Sequence, residues 1–93
     1  MRESDVEEYL CSEVLRIGGL CEKFTSPQRR GVPDRLVTYK ARMIPVELKK
    51  PDEKPTPAQL RDHARRLRQG VQVHVLTTTD AVDAFIHYLV KWR

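Results

Sequence analysis

Asp34, Glu47 and Lys49 are the residues of this chain whose types and spacing could do chemistry. Asp34 closes the run Gly31-Val32-Pro33-Asp34, and Glu47 and Lys49 flank Leu48 in Val46-Glu47-Leu48-Lys49. Side chains of an extended strand alternate faces, so Glu47 and Lys49 share one face while Val46 and Leu48 take the other. The 47 − 34 = 13 positions from Asp34 to Glu47 suffice for a strand, a turn and a returning strand. Two carboxylates and an amine meeting at strand ends suit a hard divalent cation and the water it activates. Taken singly, Asp34 is a common turn former and Glu47-Leu48-Lys49 an ordinary solvated strand face. Their combination, at matching parity, is what points to chemistry.

The elements that must position these residues are legible as periodicities. Residues 4–17 predict an amphipathic helix: Val6, Leu10, Val14 and Ile17 recur at spacings of 4, 4 and 3, and Gly18-Gly19 ends it. Ser4 and Glu7 have the spacing of a capping box. Glu7 lies at the edge of the apolar stripe and Glu8 points away from it, so Glu7 is the acid of this helix that could face the site. The capping role accounts for Glu7 without any metal.

Residues 20–25 predict a first strand, and Ser26 to Gly31 an exposed loop whose Arg29 and Arg30 are placed to meet phosphates. Pro33 opens a second strand over about 34–39, Lys40-Ala41-Arg42 turns, and residues 43–50 form a third strand. Pro45 inside that strand predicts an edge position or a bulge. After a polar loop at 51–55, Thr56-Pro57-Ala58-Gln59 reads as a helix start, with an N-cap threonine, proline at the first position and glutamine at the third. Leu60, Ala64 and Leu67 are its expected buried stripe and Gly70 its end. Gln59, His63 and Arg66 form a polar row beside that stripe. Gln59 either completes the cap or serves the site. His63 reads as a boundary residue, since no second histidine or cysteine sits at a partner spacing. Residues 71–76 predict a strand with Val71, Val73 and Val75 alternating, and Thr77 to Asp80 cap a last helix. That helix carries Val82, Phe85, Ile86 and Leu89, widened by Tyr88, Val90 and Trp92, a surface that closes the core or faces a second copy.

Composition narrows the classes. A chain of 93 residues makes one domain. With 40% hydrophobic and 32% charged residues it is globular, not disordered. No run approaches the roughly 18 apolar residues of a membrane span, and the N-terminus is acidic, unlike a signal peptide. Two cysteines, Cys11 and Cys21, have no second pair to complete a zinc site, which fits a reduced, cytoplasmic chain. A net charge of +4 and a pI near 9.3 suit a polyanionic partner. The charge is uneven: Glu3, Asp5, Glu7, Glu8 and Glu13 crowd the start, while the basic residues concentrate at Arg29, Arg30, Arg35, Lys40, Arg42, Lys49, Lys50 and Lys54 and in Arg61, Arg65, Arg66 and Arg68, runs that flank the acidic centre.

With Gly31-Val32-Pro33-Asp34 followed by Glu47-Leu48-Lys49, the sequence resembles the VRR-NUC family of the PD-(D/E)XK nuclease superfamily. The resemblance covers essentially the whole chain and takes in Gly19, Phe24-Thr25-Ser26-Pro27, Arg30 and the Pro57-x-Gln59 helix start. It implies an α/β, restriction-endonuclease-like domain over 1–93, of order αβββαβα, with a mixed central sheet flanked by helices. It also implies a magnesium- or manganese-dependent endonuclease. In that reading Glu7, Asp34 and Glu47 organise the metal, the Leu48 carbonyl completes its shell, Lys49 orients or deprotonates the attacking water, and Gln59 supports the site. Arg29, Arg30, Arg35, Lys50 and Lys54 would contact the DNA backbone. Small stand-alone members of the family look like Holliday-junction resolvases, so the resemblance implies a homodimer acting on branched or four-way DNA in a bacterial or phage-infected cell. A less selective flap or nicking endonuclease, a catalytically silent DNA-binding module of the same fold, and a structural or interaction protein whose acidic pocket is coincidental are the other readings.

Overall fold

The computed structural model describes residues 2–91. Its elements follow the predicted order: α1 (Glu3–Arg16), β1 (Leu20–Lys23), β2 (Arg35–Tyr39), β3 (Arg42–Leu48), α2 (Pro57–Arg68), β4 (His74–Leu76) and α3 (Thr79–Val90). The four strands make one sheet in the order β1-β2-β3-β4. The first two pairings are antiparallel and β3–β4 is parallel, so the sheet is mixed. Antiparallel neighbours need only short turns, and Lys40-Ala41 makes the β2–β3 turn with both residues at positive φ (49° and 66°). The parallel pair needs a crossover, and α2 lies in it.

The core lies on one face of the sheet. Val37, Ile44, Val46 and Leu48 pack there against Val6, Leu10 and Val14 of α1 and Val82, Phe85, Ile86 and Leu89 of α3. Tyr9 ties those two helices at the surface, its hydroxyl donating to Asp83 at 2.5 Å. The opposite face, which holds Glu47, is met by α2 through His63. Layers of helix on both faces of a sheet are the ordinary way such a sheet hides its apolar surface.

Several local expectations are corrected. Helix α1 begins one residue early, with Arg2 as N-cap and its backbone N–H donating to Asp5 Oδ2 at 3.0 Å, so Ser4 and Glu7 form no capping box. The N-cap is set by where the chain leaves extended geometry, and Arg2 is the extended residue (φ −83°, ψ 158°). β4 is shorter than 71–76, because only His74, Val75 and Leu76 lie opposite β3. Its buried residue is Leu76, while Val71 and Val75 are exposed. β3 is an interior strand over Val46–Leu48, and β4 begins opposite Val46. Pro45 therefore sits one residue before the β4 ladder starts, where β3 is paired with β2 alone, which is how an interior strand tolerates it.

The largest correction concerns α2. Leu60 and Leu67 are 54% and 64% exposed and Ala64 is exposed, whereas Asp62 is 1% exposed. The helix turns its polar row inward. Asp62 accepts from Arg66 Nε at 2.7 Å, and Arg65 Nη2 lies at 3.5 Å from its other oxygen. Those partners make burial of the charge tolerable, and the apolar residues are left outside. Trp92, placed by the sequence on the widened face of α3, lies outside the described residues.

Candidate metal and phosphodiester site

The β2–β3 register pairs Arg35 with Val46, so one step further sets Asp34 opposite Glu47. The Asp34 backbone carbonyl accepts from Phe24 N–H at 3.0 Å, which anchors this end of β2 to the segment after β1. Its carboxylate Oδ2 accepts the Leu48 N–H at 2.8 Å, clamping it to β3 between Glu47 and Lys49. Asp34 is only half-buried, while Glu47 is 0% and Lys49 7% exposed. The three residues singled out by type and spacing therefore stand at one end of β2 and β3, on the face met by α2.

Glu47 is the unusual member. One oxygen, Oε1, lies 3.4 Å from His63 Nε2, a long contact, and the other, Oε2, is buried with no hydrogen-bond partner. Burial pushes its carboxyl up from the usual range; His63 pulls it down, the Asp34 charge adds to the rise and Lys49 opposes it. A buried carboxylate oxygen without a donor is costly to keep, and a cation is what such an atom can satisfy. Asp34, Glu47 and a backbone carbonyl are hard oxygen donors of the kind magnesium accepts, an ion that uses one or two carboxylates and keeps several waters. Among the described residues no three His, Cys, Asp or Glu side chains group closely enough to hold an ion by themselves. The donor set therefore fits a water-rich ion and not a closed structural metal site.

The other anticipated residues are placed as follows. Glu7 pairs with Arg35, with Oε2 at 2.6 Å from Nε. Arg35 also donates to the Cys21 carbonyl at 3.4 Å, so this arginine is held by the protein on the α1 side of the sheet. Gln59 makes the cap: its Oε1 accepts from Thr56 N–H at 2.8 Å, and its own N–H donates to Thr56 Oγ1 at 3.2 Å. Lys50 and Lys54 are exposed on the loop after β3, as are Arg29 and Arg30 on the loop before β2.

Two further residues lie near the centre, and the sequence pattern does not assign them to it. Glu3, one turn before Glu7, has its carboxyl pushed up first by burial and then by the Asp34 charge, with Glu53 and Glu7 adding and Lys49 opposing. It thus belongs to the same electrostatic cluster, which its place in an acidic N-terminal run did not reveal. His63 was visible in the Gln59-His63-Arg66 row, yet only the inward turn of α2 brings it to Glu47.

No family model matches the chain. A protein named "Putative nuclease p44", from Acyrthosiphon pisum secondary endosymbiont phage 1, is 56% identical over 81 residues, 86% of this chain and 87% of that one. A solved structure described as a VRR_NUC domain superposes with a TM-score of 0.85 at 34% identity, covering 92% of this chain and 95% of its own. At that identity and coverage the likeness extends beyond fold, and the chain belongs to the VRR-NUC family of nuclease domains.

Proposed function

We propose that this chain is a magnesium- or manganese-dependent DNA endonuclease whose centre is Asp34, Glu47 and Lys49. The observation that carries the reading is the fully buried Glu47, with one unpartnered oxygen, beside Asp34 and Lys49. Asp34, Glu47 and the Leu48 carbonyl are the residues that would hold the ion. When bound, a divalent ion polarises the scissile phosphate and lowers the pKa of a coordinated water.

The chain's own residues do the remainder. The Leu48 N–H fixes Asp34 Oδ2, which leaves the other carboxylate oxygen for binding. His63 holds Glu47 on its Oε1 side. Lys49, nearly buried, presents its ammonium where negative charge develops, so it can hold the attacking water and stabilise the phosphorane-like transition state. Of the acids on α1, Glu7 must give up Arg35 before it can join the site, whereas the Glu3 carboxyl is near enough to feel the Asp34 charge.

The proposed substrate is branched DNA, with four-way junctions first, and the proposed assembly is a homodimer in the cytoplasm. Among the described residues no helix is long and apolar enough to cross a membrane. Helix α3 spends Val82, Phe85, Ile86 and Leu89 on the core, leaving Tyr88 and Val90 outside. The exposed row Leu60, Ala64 and Leu67 makes α2 the better face for a second copy. Incubating the protein with labelled four-way, flapped and linear duplex DNA in magnesium, manganese or EDTA tests the reading. Ion-dependent cuts on the four-way substrate are expected. Equal cutting of all three would favour the flap or nicking reading, and binding without cutting would leave a silent DNA-binding module.

A further inference from the structure

We propose a second phosphate-binding subsite, for the nucleic-acid backbone, in the seam between the loop before β2 and the outer flank of α2. Arg29 and Arg30 from the loop and Arg61 and Arg65 from the helix line an open depression of about 370 Å³ there, with Ala58 as its floor. Arg68 continues the basic flank beside Arg29 and Arg65.

The seam is built, not incidental. Gly31 has φ +78°, and a Cβ on it would lie 2.6 Å from the Ala58 carbonyl carbon and oxygen and 2.7 Å from Gln59 N. The loop backbone is thus seated directly on the first turn of α2, at a distance only glycine allows. Behind it, Arg66 lies 4.9 Å over the Phe24 ring while holding Asp62, which fixes the inner side of the helix. Arg61 and Arg65, one helical turn apart, then share the flank that meets the loop.

Most of the charge in this seam is unneutralised. Asp62 is the acid of the inner side and is engaged by Arg66 and Arg65. Among the described residues Arg29, Arg30, Arg61 and Arg68 have no ion-pair or hydrogen-bonded side-chain partner. Arg65 contributes a buried Nε that also lacks an acceptor. Planar guanidinium groups are the side chains that match phosphate oxygens in pairs. Asp34 is only four residues beyond Arg30, a span of at most about 14 Å, so the seam and the centre lie within a few nucleotides of each other along one strand. A strand cut at Glu47 can therefore rest its neighbouring phosphates in this seam.

The inference rests on the nuclease reading for its ligand, and its test is independent of cleavage. Binding of a fluorescent 20-mer duplex and of a four-way junction is measured in EDTA by anisotropy, from 50 to 200 mM salt. Wild type is compared with Arg29→Ala/Arg61→Ala and with Lys50→Ala/Lys54→Ala, all of them exposed positions. Losing two phosphate contacts should reduce the log–log salt slope by about 1.8, so that wild type loses roughly tenfold more affinity than the arginine double variant across that range. The lysine double variant keeps the seam, so inorganic tripolyphosphate should compete with DNA for it and for wild type but poorly for the arginine variant. Unchanged affinity and slope in the arginine variant, with wild type still cutting DNA, would overturn the subsite and leave the nuclease reading intact. No DNA binding by wild type in EDTA even at 50 mM salt would also overturn it.

Discussion

Glu47→Gln should make the metal-free protein more stable. Glu47 is fully buried, its contact with His63 is long at 3.4 Å, and Oε2 has no donor. Its carboxyl is raised above the ordinary range, chiefly by burial. A group with a raised folded-state pKa contributes its stability below the unfolded pKa, about 4.3 for Glu, and loses it as pH rises through the folded value. Ionisation of this side chain as pH rises therefore weighs against the fold. Leaving such a group unpaired costs about 1–3 kcal/mol. Glutamine keeps the shape and removes the charge, but its amide also lacks a partner and it gives up the attraction of His63 and Lys49. The net gain should be about 1 kcal/mol, or roughly 4–8 °C in Tm for a domain of this size. Thermal unfolding followed by circular dichroism in EDTA measures it, and the gap between the two proteins should narrow as pH is lowered and wild-type Glu47 takes up its proton. Magnesium or manganese should reverse the order, since an ion at a hundred times its Kd adds about 2.7 kcal/mol to whichever protein binds it. A lower Tm for Glu47→Gln in EDTA would refute this reasoning, because the carboxylate would then be a net structural asset. Equal stabilisation of both proteins by the ion would place the metal elsewhere.

Three further outcomes follow from the same geometry. Asp62→Ala should lower stability by about 2 kcal/mol, since it strips Arg66 and Arg65 of their shared acid, and urea unfolding with unchanged m-value reads that loss. Gly31→Ala should unseat the loop from α2 and destabilise the fold as well, because a Cβ at 2.6 Å from backbone cannot be accommodated by a side-chain shift; unchanged Tm would show the loop to be free of the helix. If α2 carries a dimer face, Arg61 and Arg68 flank its apolar row, so self-association should strengthen with salt while DNA binding weakens. Sedimentation at 50 and 500 mM salt checks the sign, and a monomer at every concentration would remove that face.

How much of this was legible in the sequence depends on which force fixed each feature. The order of elements was readable because capping, glycine stops and alternation are local. Thr56, Pro57 and Gln59 make the cap that their spacing predicts. The meeting of Asp34 with Glu47 was readable as parity and loop length, because register carries strand neighbours together. The orientation of α2 was not. A helix ordinarily buries its apolar stripe, yet here the inner side must hold Asp62 with its arginines and deliver His63 to Glu47, so Leu60 and Leu67 face outward. The Glu7–Arg35 pair joins residues 28 positions apart across α1 and β2, and no local pattern announces such a pair. The same holds for the arginine seam, whose members come from a loop and a helix about thirty positions apart and meet only because Gly31 lets the backbones touch.

The most direct test of the account is single-turnover cleavage of a labelled four-way junction in magnesium, with protein in excess, by wild type and Lys49→Ala. At saturation the phosphate contacts no longer limit the rate, so the comparison isolates the chemical step. Wild type should cut in an ion-dependent way, and Lys49→Ala should lose at least about a hundredfold in rate, on the order of the general-base or charge-stabilising contribution of one positioned group, with binding retained. Equal rates for the two proteins, or cutting by wild type that persists in EDTA, would contradict it.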